Sequence, residues 1–438
     1  MAYVPVAFML AGMAAYTVLA GADFGAGLWS LLAVGRLGEP SAARIRDQAR
    51  HAMGPVWEAN HVWLIFVLVV CWTAYPVAFG SITSTLAGPL LIAAIGIIFR
   101  GAAYALRGQG ASRAAENLFA VSSVLTPFAL GTAVGAIATG RVPVGNALGN
   151  EVTAWLNPPS VLIGALAVVF SGYLAAVYLA ADSVRYGEPD LAAAFRQRAL
   201  LAGLVSGALA LAGLLVMRGT GLDLTHGSAL ALVCVSGVAG LATLALCWWS
   251  SFLLARLTAA LAVAAVVAGW AAAQAPRFLP GMTVTQAAAG RSTLIALIIA
   301  VACGSVILVP SLVLLYSLFL RGRLDTPESH APGAPPAPPH AARGVTPAIS
   351  GATPAISGAT PAGAGATPAG AGAPGAREEA EPFPRHARER GGVAVAGLVM
   401  GAVLLVFTDA TWTHALGVAG LLLCAIAVFP LTATDSGG

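Results

Sequence analysis

The sequence predicts an all-α polytopic membrane protein, and three observations carry that prediction. Of 438 residues, 58% are hydrophobic and only 9% charged, a balance no soluble domain of this size needs to fill a core. Apolar stretches of roughly 18 or more residues recur, each able to cross about 30 Å of hydrocarbon at about 1.5 Å per residue. Lipid offers no partner to unpaired backbone groups, so such stretches are helices.

Nine spans are expected, near 3–22 (running on to 34), 60–79, 86–106, 118–139, 160–182, 199–217, 228–248, 253–273 and 292–320. The start has no basic n-region and no small-residue cleavage site, so it reads as a first span rather than a removable leader. Pro76 and Pro310 are expected to bend or terminate the helices that hold them. A further apolar pair, near 392–408 and 411–430, predicts a membrane hairpin.

Lysine is absent, so the 22 arginines carry all the positive charge and set orientation. The loops after spans one, three, five and seven, with the segment after span nine, hold Arg36, Arg44, Arg46, Arg50, Arg100, Arg107, Arg113, Arg185, Arg196, Arg198, Arg256, Arg321 and Arg323. The opposite side holds Arg141, Arg218, Arg277 and Arg291. This asymmetry predicts an external N-terminus and cytoplasmic odd-numbered loops, and it supports nine crossings. The net charge of +4 therefore reflects topology and is no argument for nucleic acid.

After Arg323 the composition turns to Pro, Ala, Gly and Thr, and residues 346–373 read as TPAISGA twice and TPAGAGA twice. Such a tract buries too little to offset its ordering entropy. The expected organisation is a span core at 1–323, a disordered cytoplasmic linker at 324–391, the hairpin at 392–430 and a tail at 431–438. Between spans one and two, Arg44, Asp47, Gln48 and His51 are spaced as the polar face of an interfacial helix.

Cys71, Cys234, Cys247, Cys303 and Cys424 are isolated in apolar segments. They read as small buried hydrophobes, with no disulfide framework, zinc site or covalent haem expected. Trp29, Trp155 and Tyr316 read as interface anchors.

Ionisable groups inside a span stand out, since each costs about 2.5–3.5 kcal/mol on insertion scales unless partnered. Asp23 lies in GADFGAG, residues 21–27, where glycines admit a close helix neighbour and leave room for water. The competing reading is a packing motif with an incidental acid. The run GPVWEANHVWL, residues 54–64, opens span two. There Glu58 and His61 are three apart and Trp57 and His61 four apart, so they share a helical face, and Asn60 adds an amide. A carboxylate beside an imidazole suits proton relay, whereas an interfacial tryptophan belt with Glu58 at the helix start explains the run equally well. Opposite span directions bring Asp23 and Glu58 to similar depth, as at a proton entrance. Arg100 closes span three, either as the partner of one of these acids or as an ordinary positive-inside arginine. His61 as a haem ligand is the weaker reading, because His51, His61 and His226 are the only histidines in the nine-span region.

The runs GADFGAGLW, GPVWEANHVWLI, IIFRGAAY around Arg100, NPPSVLIG at 157–164 and LVPSLVLLYSLFLRG at 308–322, in this order and at similar spacing, resemble subunit II of the cytochrome bd-type quinol oxidase family over roughly residues 1–323. The resemblance implies a nine-span core of two four-helix bundles plus a peripheral helix, in the bacterial cytoplasmic membrane. It implies a haem-free subunit clamped onto a subunit I that carries haem b, haem d and the quinol-oxidising loop, with cytoplasmic protons consumed in reducing oxygen to water. Quinol, membrane lipid, a small accessory subunit and a bound structural quinone are the further expected partners. Asp23, Trp57, Glu58 and Asn60 match motif positions, with Glu58 the favoured acid, Trp57 and Arg100 supporting or haem-proximal, and His61 where relatives vary. Some relatives carry another acid just before GxDxG, where this chain has Leu19 and Ala20. The chain alone is expected to be inactive. A secondary transporter or ion channel with acids at a cytoplasmic vestibule is the alternative, and an assembly scaffold the third reading; clustering of the acids at one mouth argues against paired midplane half-sites.

Overall fold

The computed structural model describes residues 1–33, 40–51, 57–105, 113–146 and 148–320, so the repeat linker and the hairpin at 392–430 lie outside the described residues. The chain is a set of long antiparallel helices. Its first helix, α1 (Val4–Leu31), starts with Pro5 in the opening turn, where the missing N–H costs nothing. At 28 residues it runs about 42 Å, taking the first span on past residue 22 as the sequence expected. The short α2 (Ala42–His51) follows.

The second expected span is broken. Helix α3 (Trp57–Ala74) ends before Pro76, which opens α4 (Pro76–Thr85); α4 then turns by 82° into α5 (Ala87–Ala105). Proline lacks the N–H and disfavours helical geometry in the residue before it, so the break falls at Tyr75. Helix α6 (Arg113–Ala138) runs through Pro127. An Asn157 side chain accepting from the Ser160 amide at 3.1 Å caps α7 (Pro158–Arg185). Then come α8 (Pro189–Met217), α9 (Gly227–Trp248) and α10 (Phe252–Gln274). The hairpin of β1 (Arg277–Leu279) and β2 (Met282–Thr283) leads through α11 (Val284–Ala287), fixed by a Thr283–Gln286 capping box, into α12 (Arg291–Leu320). Pro310 does not terminate α12; its lost hydrogen bond is absorbed within a 30-residue helix. Seven of the described helices are long and apolar enough to span a bilayer, and the bent α4–α5 pair makes eight.

Helix α1 packs on α3, α6 and α7; α5 packs on α6, α6 on α7, α7 on α8, and α9 on α10. One apolar cluster joins Ala26, Ile45, Phe119, Leu174 and Phe195 where α1 ends. A second, with Tyr75, Leu86, Val142, Leu279 and Val284, closes the opposite end. Helix α12 leaves most of its described apolar side chains exposed, as a lipid-facing helix does.

Three expectations about single residues need correction. Gln48 is buried on α2 beside Ile45 and Ala49 rather than on a polar face; α2 is tied down instead by Arg44, which pairs with Glu188 and lies 3.9 Å from Asp190. Cys71 and Cys247 are buried, but Cys234 and Cys303 are exposed, because helices facing lipid need no protein cover. The Trp29 indole N–H donates to Gly172 O at 2.8 Å, and Trp155 donates to Glu151 O at 2.8 Å. Both are partly buried packing residues as much as anchors. Cys424 and the Tyr316 side chain are outside the described part.

Candidate functional site

The glycines of GADFGAG do what their size allows. A Cβ on Gly25 would fall 1.8 Å from the Ser171 carbonyl oxygen of α7, and one on Gly27 would fall 2.1 Å from Ser123 Oγ of α6. Helix α1 is thus pressed against two neighbours at once, which buries Asp23 among α1, α3, α5 and α6, 8% exposed.

Arg100 of α5 reaches this point from the side and is 1% exposed. Its Nη2 donates to the Asp23 carbonyl oxygen at 2.7 Å and stands 3.8 Å from Asp23 Oδ1. Nη1 donates to the Ser123 hydroxyl. The guanidinium lies over Phe119, 4.4 Å from the ring centroid, and near Phe24 at 5.0 Å. Charge pairing, hydrogen bonds and aromatic faces together replace the water that a buried arginine gives up. From α3, the buried Asn60 amide donates to Asp23 Oδ2 at 3.2 Å and to Leu19 O at 3.4 Å. Asp23, Asn60 and Arg100 are therefore one cluster, and Arg100 is no ordinary interfacial arginine.

His61 follows on α3, its ring 6.0 Å from the centroids of both Tyr16 and Phe24. Trp57 and Glu58 belong to the first turn of α3, within one turn of Asn60; their side chains lie outside the described part, so the shared face of Trp57, Glu58 and His61 is not described either. Among the described residues no group of three or more His, Cys, Asp and Glu is arranged to hold a metal.

Sequence reading missed several members. Ser123 and Phe119 complete the arginine's surroundings, and the adjacent hydroxyls Ser122 and Ser123 in an otherwise apolar span were the available signal. A second charged pair also went unnoticed. Arg256 of α10 pairs with Asp182 of α7 and donates to Tyr178 O at 2.7 Å, with side chains 18% and 16% exposed. An acid three residues before the end of span α7 was its clue. Both pairs lie at the end of the molecule where α1, α5 and α7 finish and α3, α8 and α10 begin.

With this geometry in view, the chain was compared with known proteins. The family model described as cytochrome bd terminal oxidase subunit II matches residues 1–319. No curated protein matches. A chain of a solved structure, described as the structure of bd oxidase from Geobacillus thermodenitrificans, is 22% identical with a TM-score of 0.58, covering 73% of this chain and 98% of its own. At that identity the likeness is one of fold.

Proposed function

Because the chain belongs to the cytochrome bd terminal oxidase subunit II family, we propose that it is the haem-free second subunit of a membrane quinol oxidase, inactive alone. In this reading it pairs with a subunit I holding haem b and haem d, quinol is oxidised to quinone, and oxygen is reduced to water with protons drawn from the cytoplasm. The family match is to an oxidase subunit, which leaves the transporter reading without support.

The observation that carries the proposal is the buried Asp23–Asn60–Arg100 cluster at one end of the helices. A carboxylate held there by a charge partner and an amide is a place where a proton can be taken up and passed on. Glu58, one turn away, is the proposed entrance acid, and His61 and Asn60 the groups beyond it. Trp57 is assigned to the boundary with subunit I. Counting α3 and the bent α4–α5 pair as crossings gives nine spans, two four-helix bundles with α12 peripheral, and puts the N-terminus outside by the arginine asymmetry. The segment 324–391 is then a cytoplasmic linker and 392–430 an appended hairpin. The described residues offer no assignment for a structural quinone.

The test is purification of the tagged chain from its native membrane in mild detergent. A haem-bearing multi-span partner, b- and d-type absorbance bands and quinol-dependent oxygen uptake are expected. In that complex Glu58→Gln should slow oxygen uptake and proton uptake together while leaving the absorbance bands in place. A haem-free chain without such a partner would sink the reading.

A further inference from the structure

The polar groups around Asp23 continue inward along α1. Two turns back on the same face of that helix, about 10 Å further from the end that holds Asp23, stands Tyr16, 9% exposed. Its ring lies 6.0 Å from the His61 ring of α3 and 6.5 Å, edge to face, from that of Phe24. Phe24 in turn has the Arg100 guanidinium 5.0 Å from its centroid. Tyr16 thus closes a series that runs from α5 into the seam between α1 and α3. Beyond it the seam is shut: a Cβ on Gly12 would fall 2.9 Å from Phe66 and 3.0 Å from Val67.

The Tyr16 hydroxyl is buried and has no hydrogen-bond partner among the described residues. A phenylalanine would fill the same space with no polar group to satisfy. The titratable and charged groups that face it are His61 from α3, Asp23 on its own helix and Arg100 from α5, and the charges of the last two reach the hydroxyl. The rest of its surroundings are apolar, with Ala20, Leu64, Ile97 and Leu130 in the same cluster. The Trp63 indole N–H, in that cluster too, also lacks a partner among the described residues. An indole N–H only donates, however, whereas a phenol both donates and accepts. Passing a proton on requires both.

We propose that Tyr16 is the proton-transferring residue at the inner end of the Asp23 route, its hydroxyl joined by bound water to Asp23 on one side and to His61 on the other. Water that bridges buried polar groups is a regular part of protein interiors. A proton on the water beside Asp23 passes to the phenol oxygen as the hydroxyl's own proton leaves toward His61. Tyr16 is neutral before and after, and no electron moves. Because the seam is shut at Gly12, Tyr16 is where the route leaves α1 and α3. Its destination is the oxygen reduction that the oxidase reading, on which this inference rests, places in subunit I.

The test uses the purified haem-bearing complex with quinol in excess. Tyr16→Phe removes one oxygen and keeps the ring. Oxygen uptake and proton uptake should fall together about tenfold, less than the roughly hundredfold or more lost with a positioned acid or base, because water replaces part of the relay. The ratio of rates in H2O and D2O should widen, while the KM for quinol and the haem bands stay as they are. The thermal midpoint should not fall, since no hydrogen bond within the protein is lost. Trp63→Phe, which removes a donor that cannot relay, should change neither rate nor isotope ratio; equal slowing by it would trace the effect to packing and overturn the proposal. A lowered midpoint or disturbed bands without a wider isotope ratio would make the hydroxyl structural and overturn it as well. Tyr16→Phe at full rate also overturns it, and a slowed Glu58→Gln in the same preparation would show that the oxidase reading stands. An unaltered complex with no quinol-dependent oxygen uptake overturns both.

Discussion

Replacing Asp23 by asparagine removes one charge from the buried cluster while nearly preserving its shape. At 3.8 Å and an effective dielectric constant of about 20, opposite unit charges attract by about 4 kcal/mol. The arginine left behind cannot turn to water, because its side chain is 2% exposed. It keeps the Ser123 hydroxyl, the carbonyl of residue 23 and two aromatic faces, none of which carries a compensating negative charge. Breaking a buried pair from one side costs about 3–5 kcal/mol, and that is the loss expected for Asp23→Asn in the unfolding free energy of the purified complex, read by denaturant titration in mixed micelles. Glu188→Gln is the control. It breaks the Arg44 pair, whose side chains are 44% and 46% exposed, and should cost no more than about 1 kcal/mol. Combining Asp23→Asn with Arg100→Gln should cost less than the two singly, by about 2–3 kcal/mol. If Asp23→Asn were no worse than Glu188→Gln, or if the two buried substitutions simply added, the cluster would not be held by charge and the reasoning would fail.

Further outcomes follow from neighbouring contacts. Gly25→Ala places a methyl 1.8 Å from a backbone oxygen that cannot rotate away, so folded yield should collapse. Gly21→Ala meets the Leu174 side chain at 3.3 Å and the Ser171 hydroxyl at 3.7 Å and should fold with a change of about 1 kcal/mol or less. Asn60→Leu removes the amide that bridges Leu19 and Asp23 and should lower stability by about 1–3 kcal/mol, measured in the same titration. The Thr225 amide and hydroxyl, which donate to Asp223 Oδ1 at 2.9 and 2.8 Å, hold that carboxyl below the usual carboxylate range, so its contribution is complete above the ordinary Asp value of about 3.9. It is lost as the pH falls through the depressed value. Hydrogen exchange of the Thr225 amide, corrected for intrinsic rates, should show protection failing only in that acidic window.

The membrane class and most helix positions were legible because lipid imposes one rule, a continuous apolar helix, that composition alone expresses. The continuation of α1 past residue 22 to Leu31 was legible too, and the GADFGAG run there is covered by α6 and α7; helix breaks were less so. The break at Tyr75 was half visible in Pro76, but the 82° turn after α4 was not. It depends on the 141–156 loop, whose Asn146 and Gly149 fit against Gly80 and Thr85. At the site, sequence spacing brought out Asp23, Asn60 and Arg100 one motif at a time, yet could not choose between Arg100 as an interfacial cation and as a buried partner. That choice turns on burial, which is set by Ser123 and Phe119 on a fourth helix. The Asp182–Arg256 pair was hidden for a related reason: 74 residues separate its members, and the acid near the end of α7 does not by itself name its partner.

In the proposed oxidase reading, the placement of these groups assigns a direction to proton uptake. Both charged pairs lie at one end of the molecule. The other end of the α1–α6 helices is filled: the Tyr75 hydroxyl donates to Ala2 O, the Ser81 hydroxyl accepts from the Gly145 amide at 2.9 Å, Trp155 covers Gly88, and Leu86 and Val142 are fully buried. A proton crossing that cap would have to leave water for a layer of buried apolar side chains, whereas at the Asp23 end it meets a carboxylate bonded to the Asn60 amide at 3.2 Å, beside an arginine that holds the Ser123 hydroxyl. The cost of ion transfer into unpartnered apolar surroundings far exceeds that of moving along partnered groups. Uptake from the Asp23 side alone is what this asymmetry favours, and opening the cap should create a leak without speeding oxygen reduction. Gly149→Val, which drives a branched side chain into Thr85, is the substitution to make. In sealed vesicles it should raise passive proton entry several-fold at unchanged oxygen uptake in uncoupled membranes; unchanged passive entry in a correctly folded variant would mean that the cap is not the barrier.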